Sequence, residues 1–145
     1  MIWLNTFFQC ALNEAGKAFD IGEVPVGALV VKNGEVISSA YNLTRKNCDV
    51  TAHAEVLAIR EAEKKLGDWR LAGCELYVTL EPCMMCMGTI LNSRISKLYF
   101  GAYDAEFGFA LSNHFTMPHN LEIYGGICED ECKKLLKDFF SSRRN

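Results

Sequence analysis

Between about Leu4 and Phe19 the apolar residues Phe7, Phe8, Leu12, Ala15 and Phe19 recur at helical spacing, which predicts an amphipathic helix ended by Asp20-Ile21-Gly22. Val26 to Lys32 is a nearly continuous apolar run, as expected of a strand covered on both faces. Asn33-Gly34 is a strong hairpin signal, so Glu35 to Tyr41 should return antiparallel. After an irregular polar stretch from Asn42 to Val50, Thr51 is placed to cap a helix from about Ala52 to Leu66, closed by Gly67. Glu75–Leu80, Ile95–Phe100 and Leu121–Tyr124 read as further strands, and Cys83–Asn92 and Glu129–Phe140 as further helices. The stretch from Asp104 to Asn120 reads as a short helix and a loop. Strands alternating with helices predict an α/β layered sheet, and 145 residues suit one domain spanning 1–145.

Composition narrows the class. Half of the chain is hydrophobic, 23% is charged and only three residues are proline, which argues for a packed core and against disorder. No apolar run reaches the roughly 18 to 20 residues that a membrane-spanning helix needs. The N-terminus lacks a basic start, and Asn5, Thr6 and Gln9 interrupt its hydrophobic residues, so no signal peptide is expected. Seven cysteines, an odd number, fit a reducing cytoplasm better than a disulfide framework. A net charge of −3 gives no global basic footprint for nucleic acid. The last helix orders its acids first and its bases last, which the helix dipole explains equally well.

The chemistry concentrates in two places, His53-Ala54-Glu55 and Pro82-Cys83-Met84-Met85-Cys86. One imidazole and two thiolates make three zinc ligands, leaving a position for water, as catalytic rather than structural zinc sites do. The thiolates and neutral imidazole balance Zn²⁺, and helix starts favour thiolate over thiol. Glu55, two residues from His53, is placed to move protons to and from a zinc-bound water. The bland alternative is a structural zinc staple completed by Cys48, Cys74, His114 or His119. Other residues have ordinary readings as well. Cys128 and Cys132 fit a buried helix face with Leu135, Leu136 and Phe139. Met84, Met85 and Met87 fit helix packing and a dimer seam, and Phe107 and Phe109 either a core or base stacking. His114 and His119 fit a loop, while Arg143 and Arg144 fit either a solvated tail or RNA backbone contact.

The spacing matches the H-x-E…P-C-x-x-C signature of zinc-dependent nucleobase deaminases. Beyond it, Gly22-Glu23-Val24-Pro25-Val26-Gly27-Ala28, Thr51-Ala52-His53-Ala54-Glu55 and Tyr77-Val78-Thr79-Leu80-Glu81-Pro82-Cys83-Met84-Met85-Cys86 resemble the bacterial tRNA-specific adenosine deaminases. So do Ser93-Arg94-Ile95, Phe100-Gly101-Ala102-Tyr103-Asp104-Ala105 and the ending from Asp138 to Arg144. The resemblance implies a three-layer α/β/α, cytidine deaminase-like fold: a five-stranded mixed sheet with helices on both faces. It implies a cytoplasmic homodimer with one Zn²⁺ per subunit, held by His53, Cys83 and Cys86. Glu55 matches the proton shuttle, Asn42 a residue that contacts the target nucleotide, and Asp104 a loop residue near the nucleic acid. The implied reaction is hydrolysis of adenosine to inosine at the wobble position of a tRNA anticodon loop, chiefly an arginine tRNA. The chain departs from the family where Leu43 replaces a common Arg, Val50 replaces a Pro, and the stretch after Asp104 is shorter and lacks a Gly-Ser. A free-base or nucleoside deaminase of guanine or cytidine type, and a catalytically silent zinc-binding partner subunit, are the competing readings. Intact Glu55 counts against the second.

Overall fold

The computed structural model describes residues 2–111 and 120–143. The opening helix is α1 (Ile2–Asp20). It leads into strand β1 (Gly27–Lys32), which turns at Asn33-Gly34 into β2 (Glu35–Tyr41). Both turn residues have positive φ, 52° and 75°, the geometry that lets a two-residue turn follow the twist of its strands. The hairpin is not perfectly regular: Val30 pairs with Ser38 but Val31 with Val36, so one residue of β2 bulges out.

Next come α2 (Ala54–Leu66), β3 (Cys74–Leu80), α3 (Met84–Asn92) and β4 (Lys97–Ala102). A short 3-10 turn at Phe109–Leu111 precedes β5 (Glu122–Tyr124) and α4 (Glu129–Ser142). Strand order is β2-β1-β3-β4-β5, with β1 antiparallel to both neighbours and β3, β4 and β5 parallel. This is the five-stranded mixed sheet expected from the resemblance. Helices α2 and α3 cover one face, where Ala58, Ile59, Met87 and Ile90 meet Val30, Leu76, Val78, Leu98 and Phe100. Helices α1 and α4 share the other, where Phe8 and Ala11 meet Leu29, Val31, Tyr77 and Tyr99.

Two glycines set how closely these layers pack. A Cβ on Gly27 would run into the backbone of Ala11 and Ala15 in α1. One on Gly101 would strike Cys132 of α4 and the carbonyl of Thr79. Each helix therefore sits on bare backbone.

Helix starts differ from expectation at the residues that matter most. Thr51 does not cap α2: its hydroxyl and its N–H both donate to Asp49 Oδ1, at 2.7 and 2.8 Å. The loop turns once more, and His53 becomes the N-cap, extended at φ −76° and ψ 151°. Cys83 is likewise the extended N-cap of α3 rather than its first helical residue. Gly67 closes α2 in the left-handed conformation, as expected. Cys128 also lies outside its helix, as the left-handed N-cap of α4, while Cys132 and Phe139 are buried. No described helix is long and apolar enough to cross a membrane.

Candidate metal centre and nucleotide cavity

Parallel strands direct their carboxyl ends, and the helices that follow them, toward one crevice. There the N-termini of α2 and α3 bring together the two sequence segments that carry ligand-type residues. His53 Nδ1 lies 3.4 Å from Cys86 Sγ and 3.7 Å from Cys83 Sγ, and the three ligand atoms all fall within 4.8 Å of one another. Neither N-cap side chain is spent on capping its own helix, so imidazole and thiol both turn inward to the cluster. Among the described residues no fourth His, Cys, Asp or Glu joins them. Cys48 is exposed on the loop before α2, and Cys74 is buried at the start of β3. The remaining staple candidates, His114 and His119, lie outside the described residues.

The protonation pattern is that of a ligand set sharing protons. A hydrogen bond from Cys86, aided by His53, draws the Cys83 thiol down to about 4. Cys86 is pushed up, by the same bond and by burial. The bond to Cys83 also raises His53. Ligand binding by a divalent cation would displace these shared protons, which is how metal sites of this chemistry couple to pH. Three soft and borderline donors, half-buried to buried and facing one point, fit zinc.

Glu55, in the first turn of α2, is 4% exposed and lines the same cavity. Burial raises its carboxyl pKa, opposed by a bond to its own backbone N–H, by the nearby imidazole and by Cys86. A carboxyl moved toward neutrality can give a proton as well as take one.

The cavity has a volume of about 450 Å³, enough for a flat heterocycle with its sugar. His53, Ala54, Glu55 and Cys83 form its floor; Val24, Val26 and Leu80 contribute apolar surface. Asn42 and Thr44 line it from the loop after β2, and Glu81, Asp104 and Phe107 from the segments after β3 and β4. Asn42 Oδ1 is already engaged, accepting from the Thr44 hydroxyl at 2.7 Å and its N–H at 3.3 Å. Its amide nitrogen donates to the Val24 carbonyl at 3.4 Å and keeps one further N–H. Asp104 Oδ1 accepts from the Glu106 and Phe107 N–H groups, which folds the loop into a turn. Phe107 is 68% exposed at the rim, whereas Phe109 packs edge-on against Phe100 of the core. Met84 and Met85 are exposed on α3 while Met87 is buried, so the three methionines do not form one surface.

Sequence reasoning missed two residues, Glu23 and Glu81. Both are nearly fully buried, and each carboxylate accepts two backbone N–H groups from a loop beside the cavity. Glu81 takes those of Asp104 and Ala110, each at 3.0 Å. Glu23 takes those of Arg45 and Lys46, at 3.0 and 2.7 Å. The signal was present in outline: each Glu interrupts an otherwise apolar stretch, at Gly22-Glu23-Val24-Pro25-Val26 and Leu80-Glu81-Pro82. A carboxylate buried in such a place has to be satisfied from outside its own segment.

Fold and site together define a deaminase with a cytidine deaminase-like architecture. The sequence matches the MafB19-like deaminase family over residues 4–144. It is 46% identical over 143 residues to the tRNA-specific adenosine deaminase of Bacillus subtilis, covering 95% of this chain and 89% of the relative. To the Aquifex aeolicus enzyme of the same name it is 47% identical over 144 residues, covering 96% and 95%. A solved structure from work on tRNA:A34 deaminases superposes with a TM-score of 0.86 at 44% identity, covering 91% of this chain and 99% of that one. Guanine deaminase from Nitrosomonas europaea, at 23% identity and a TM-score of 0.80 over 93% and 83% of the two chains, shares the fold. The chain belongs to the family of tRNA-specific adenosine deaminases, and it is a hydrolytic deaminase.

Proposed function

We propose that this enzyme converts adenosine to inosine at the wobble position of a tRNA anticodon loop, chiefly of an arginine tRNA, in the cytoplasm. The observation that carries the proposal is the buried Glu55 carboxyl in one cavity with His53 and Cys83, on which Cys86 converges from beneath the lining. These three residues hold zinc, one ion per subunit, and the chain works as a single deaminase domain over residues 1–145. Zinc bound there supplies Lewis acidity, lowering the pKa of a water so that it can attack at neutral pH.

The chain's own residues do the rest. Glu55 accepts a proton from the attacking water and delivers it to the ring nitrogen beside the amino-bearing carbon. A second transfer, to the exocyclic nitrogen, lets ammonia leave as the carbon becomes a carbonyl. Val24, Val26 and Leu80 present apolar surface to the base. Asn42 donates its remaining N–H to an acceptor on the base or ribose. The Asp104 oxygen not engaged with its own loop accepts from a ribose hydroxyl. Phe107, exposed at the rim, stacks against a neighbouring unpaired base. A base inside a loop is cheaper to extrude than one in a duplex, which suits a cavity this deep. The enzyme acts as a homodimer, for which the exposed Met84 and Met85 of α3 provide apolar contact surface.

A second reading is deamination of a free base. It draws on a solved guanine deaminase from Bacillus subtilis, 37% identical with a TM-score of 0.67 over 73% and 71% of the two chains. Incubation of the purified protein with an anticodon stem-loop carrying adenosine at the wobble position, and with free adenosine, guanine and cytidine, separates the two. Inosine in the RNA alone supports the first reading. Turnover of free guanine alone transfers the function to the second.

A further inference from the structure

Glu23 is 1% exposed, yet no cationic side chain pairs with it among the described residues. Its charge is met by two backbone N–H groups, those of Arg45 and Lys46. These bonds complete a zipper between the segment before β1 and the loop after β2. Asn42 N–H donates to Val26 O at 3.1 Å, and Asn42 Nδ2 to Val24 O at 3.4 Å. Four bonds in register thus lock residues 42–46 onto residues 23–26.

That loop has two faces. Asn42 and Thr44 line the cavity that holds Glu55. Arg45 and Lys46 are exposed and line a second depression with Ile21, Gly22, Arg143 and an edge of the buried Glu23 itself. Arg143 is held there against the Phe139 ring at 4.9 Å, with its guanidinium beside Gly22. No carboxylate pairs with the side chains of Arg45 or Lys46 among the described residues, so both cations face solvent. Cationic groups of this kind position a phosphate backbone, while groups in the cavity select the base.

The geometry points to Glu23 as a positioning residue for RNA: by gripping the Arg45 and Lys46 N–H groups, it fixes the spacing between the base-contacting and phosphate-facing sides of one loop. This rests on the RNA reading given above. Glu23 does not line the cavity that holds Glu55, and its reach toward that cavity runs through the loop. A buried carboxylate suits the task because a charge-assisted bond to an amide is short and strong, and because its alternative, an unpaired buried charge, is costly.

The test is Glu23→Gln, which keeps the side chain's size but turns one acceptor into a donor facing an N–H group. Steady-state kinetics on an adenosine-containing anticodon stem-loop should show KM raised about tenfold by the misplaced loop, with kcat held within about twofold. Zinc content should remain that of the wild type. Loss of folded enzyme would instead lower the apparent kcat and leave KM alone. Glu23→Asp, too short to reach both amides, should shift KM in the same direction. Unchanged KM in either folded variant overturns the inference, as does failure of both to fold, since Glu23 would then serve the core. Absence of RNA turnover by the wild type would overturn the RNA reading itself, which keeps the two failures distinct.

Discussion

Gly108 leaves room for the carboxylate of Glu81: a Cβ at this glycine would collide with Glu81 Cδ and Oε1. The space is needed because that carboxylate holds the Asp104 and Ala110 N–H groups and thereby the cavity wall that carries Asp104 and Phe107. Gly108→Ala should therefore cost about 1–3 kcal/mol of stability, the usual range for overpacking. Its larger effect should fall on KM. Denaturant unfolding together with kinetics would check both; a variant with normal KM would show that the wall does not depend on this carboxylate.

Glu55 links activity and stability with opposite signs. Glu55→Gln should lower kcat by about two to four orders of magnitude, the range for general acid–base catalysis. In metal-free protein the same substitution should be stabilising at neutral pH. Burial raises the carboxyl's folded-state pKa, so its destabilising effect is absent below the unfolded pKa near 4.5 and grows as pH rises through the folded value. Thermal melts of chelator-treated wild type and variant at pH 4.5 and pH 8 would test the sign. The variant's advantage should appear at the higher pH only.

Cys83 should betray its thiolate character. With its pKa drawn down to about 4, it should alkylate with iodoacetamide at pH 6 in metal-free protein. Zinc should protect Cys83, and mass spectrometry of the digested protein would read the difference. Alkylation of Cys83 only above pH 8 would contradict the hydrogen-bonding pattern.

Among the described residues Asn42 keeps one amide N–H beyond its bond to Val24, so donation to substrate is the role to test. Asn42→Asp, which removes that donor and places another carboxylate near Glu55, should weaken substrate binding more than Asn42→Ser. Comparison of KM values on the stem-loop would check the order. Equal effects would mean that Asn42 matters only for the Val24 and Thr44 contacts.

Much of this architecture was legible in the sequence because short-range rules governed it. Asn33-Gly34 dictated the hairpin, Gly67 the end of α2, and apolar periodicity the helices. The ligand cluster was legible because its residue types are rare and chemically committed. The start of α2 was misplaced by two residues because Asp49 competes successfully for the Thr51 hydroxyl, an outcome of local geometry that capping preference cannot rank. The bulge in β2 leaves no residue signature either. Glu23 and Glu81 escaped because a buried carboxylate and a surface one look alike until the loops that satisfy them, about 22 and 23 to 29 positions away, are folded against them.

His53 ends the same β2–α2 connection that Asn42 begins, whereas Cys83 and Cys86 follow β3, and Asp104 and Phe107 follow β4. Three connections thus meet at one cavity, and the grips of Glu23 and Glu81 hold the first and the last of them in place. An engineer could rebuild the segment after β4, keep Glu81 as its anchor, and expect a new clientele for an unaltered reaction.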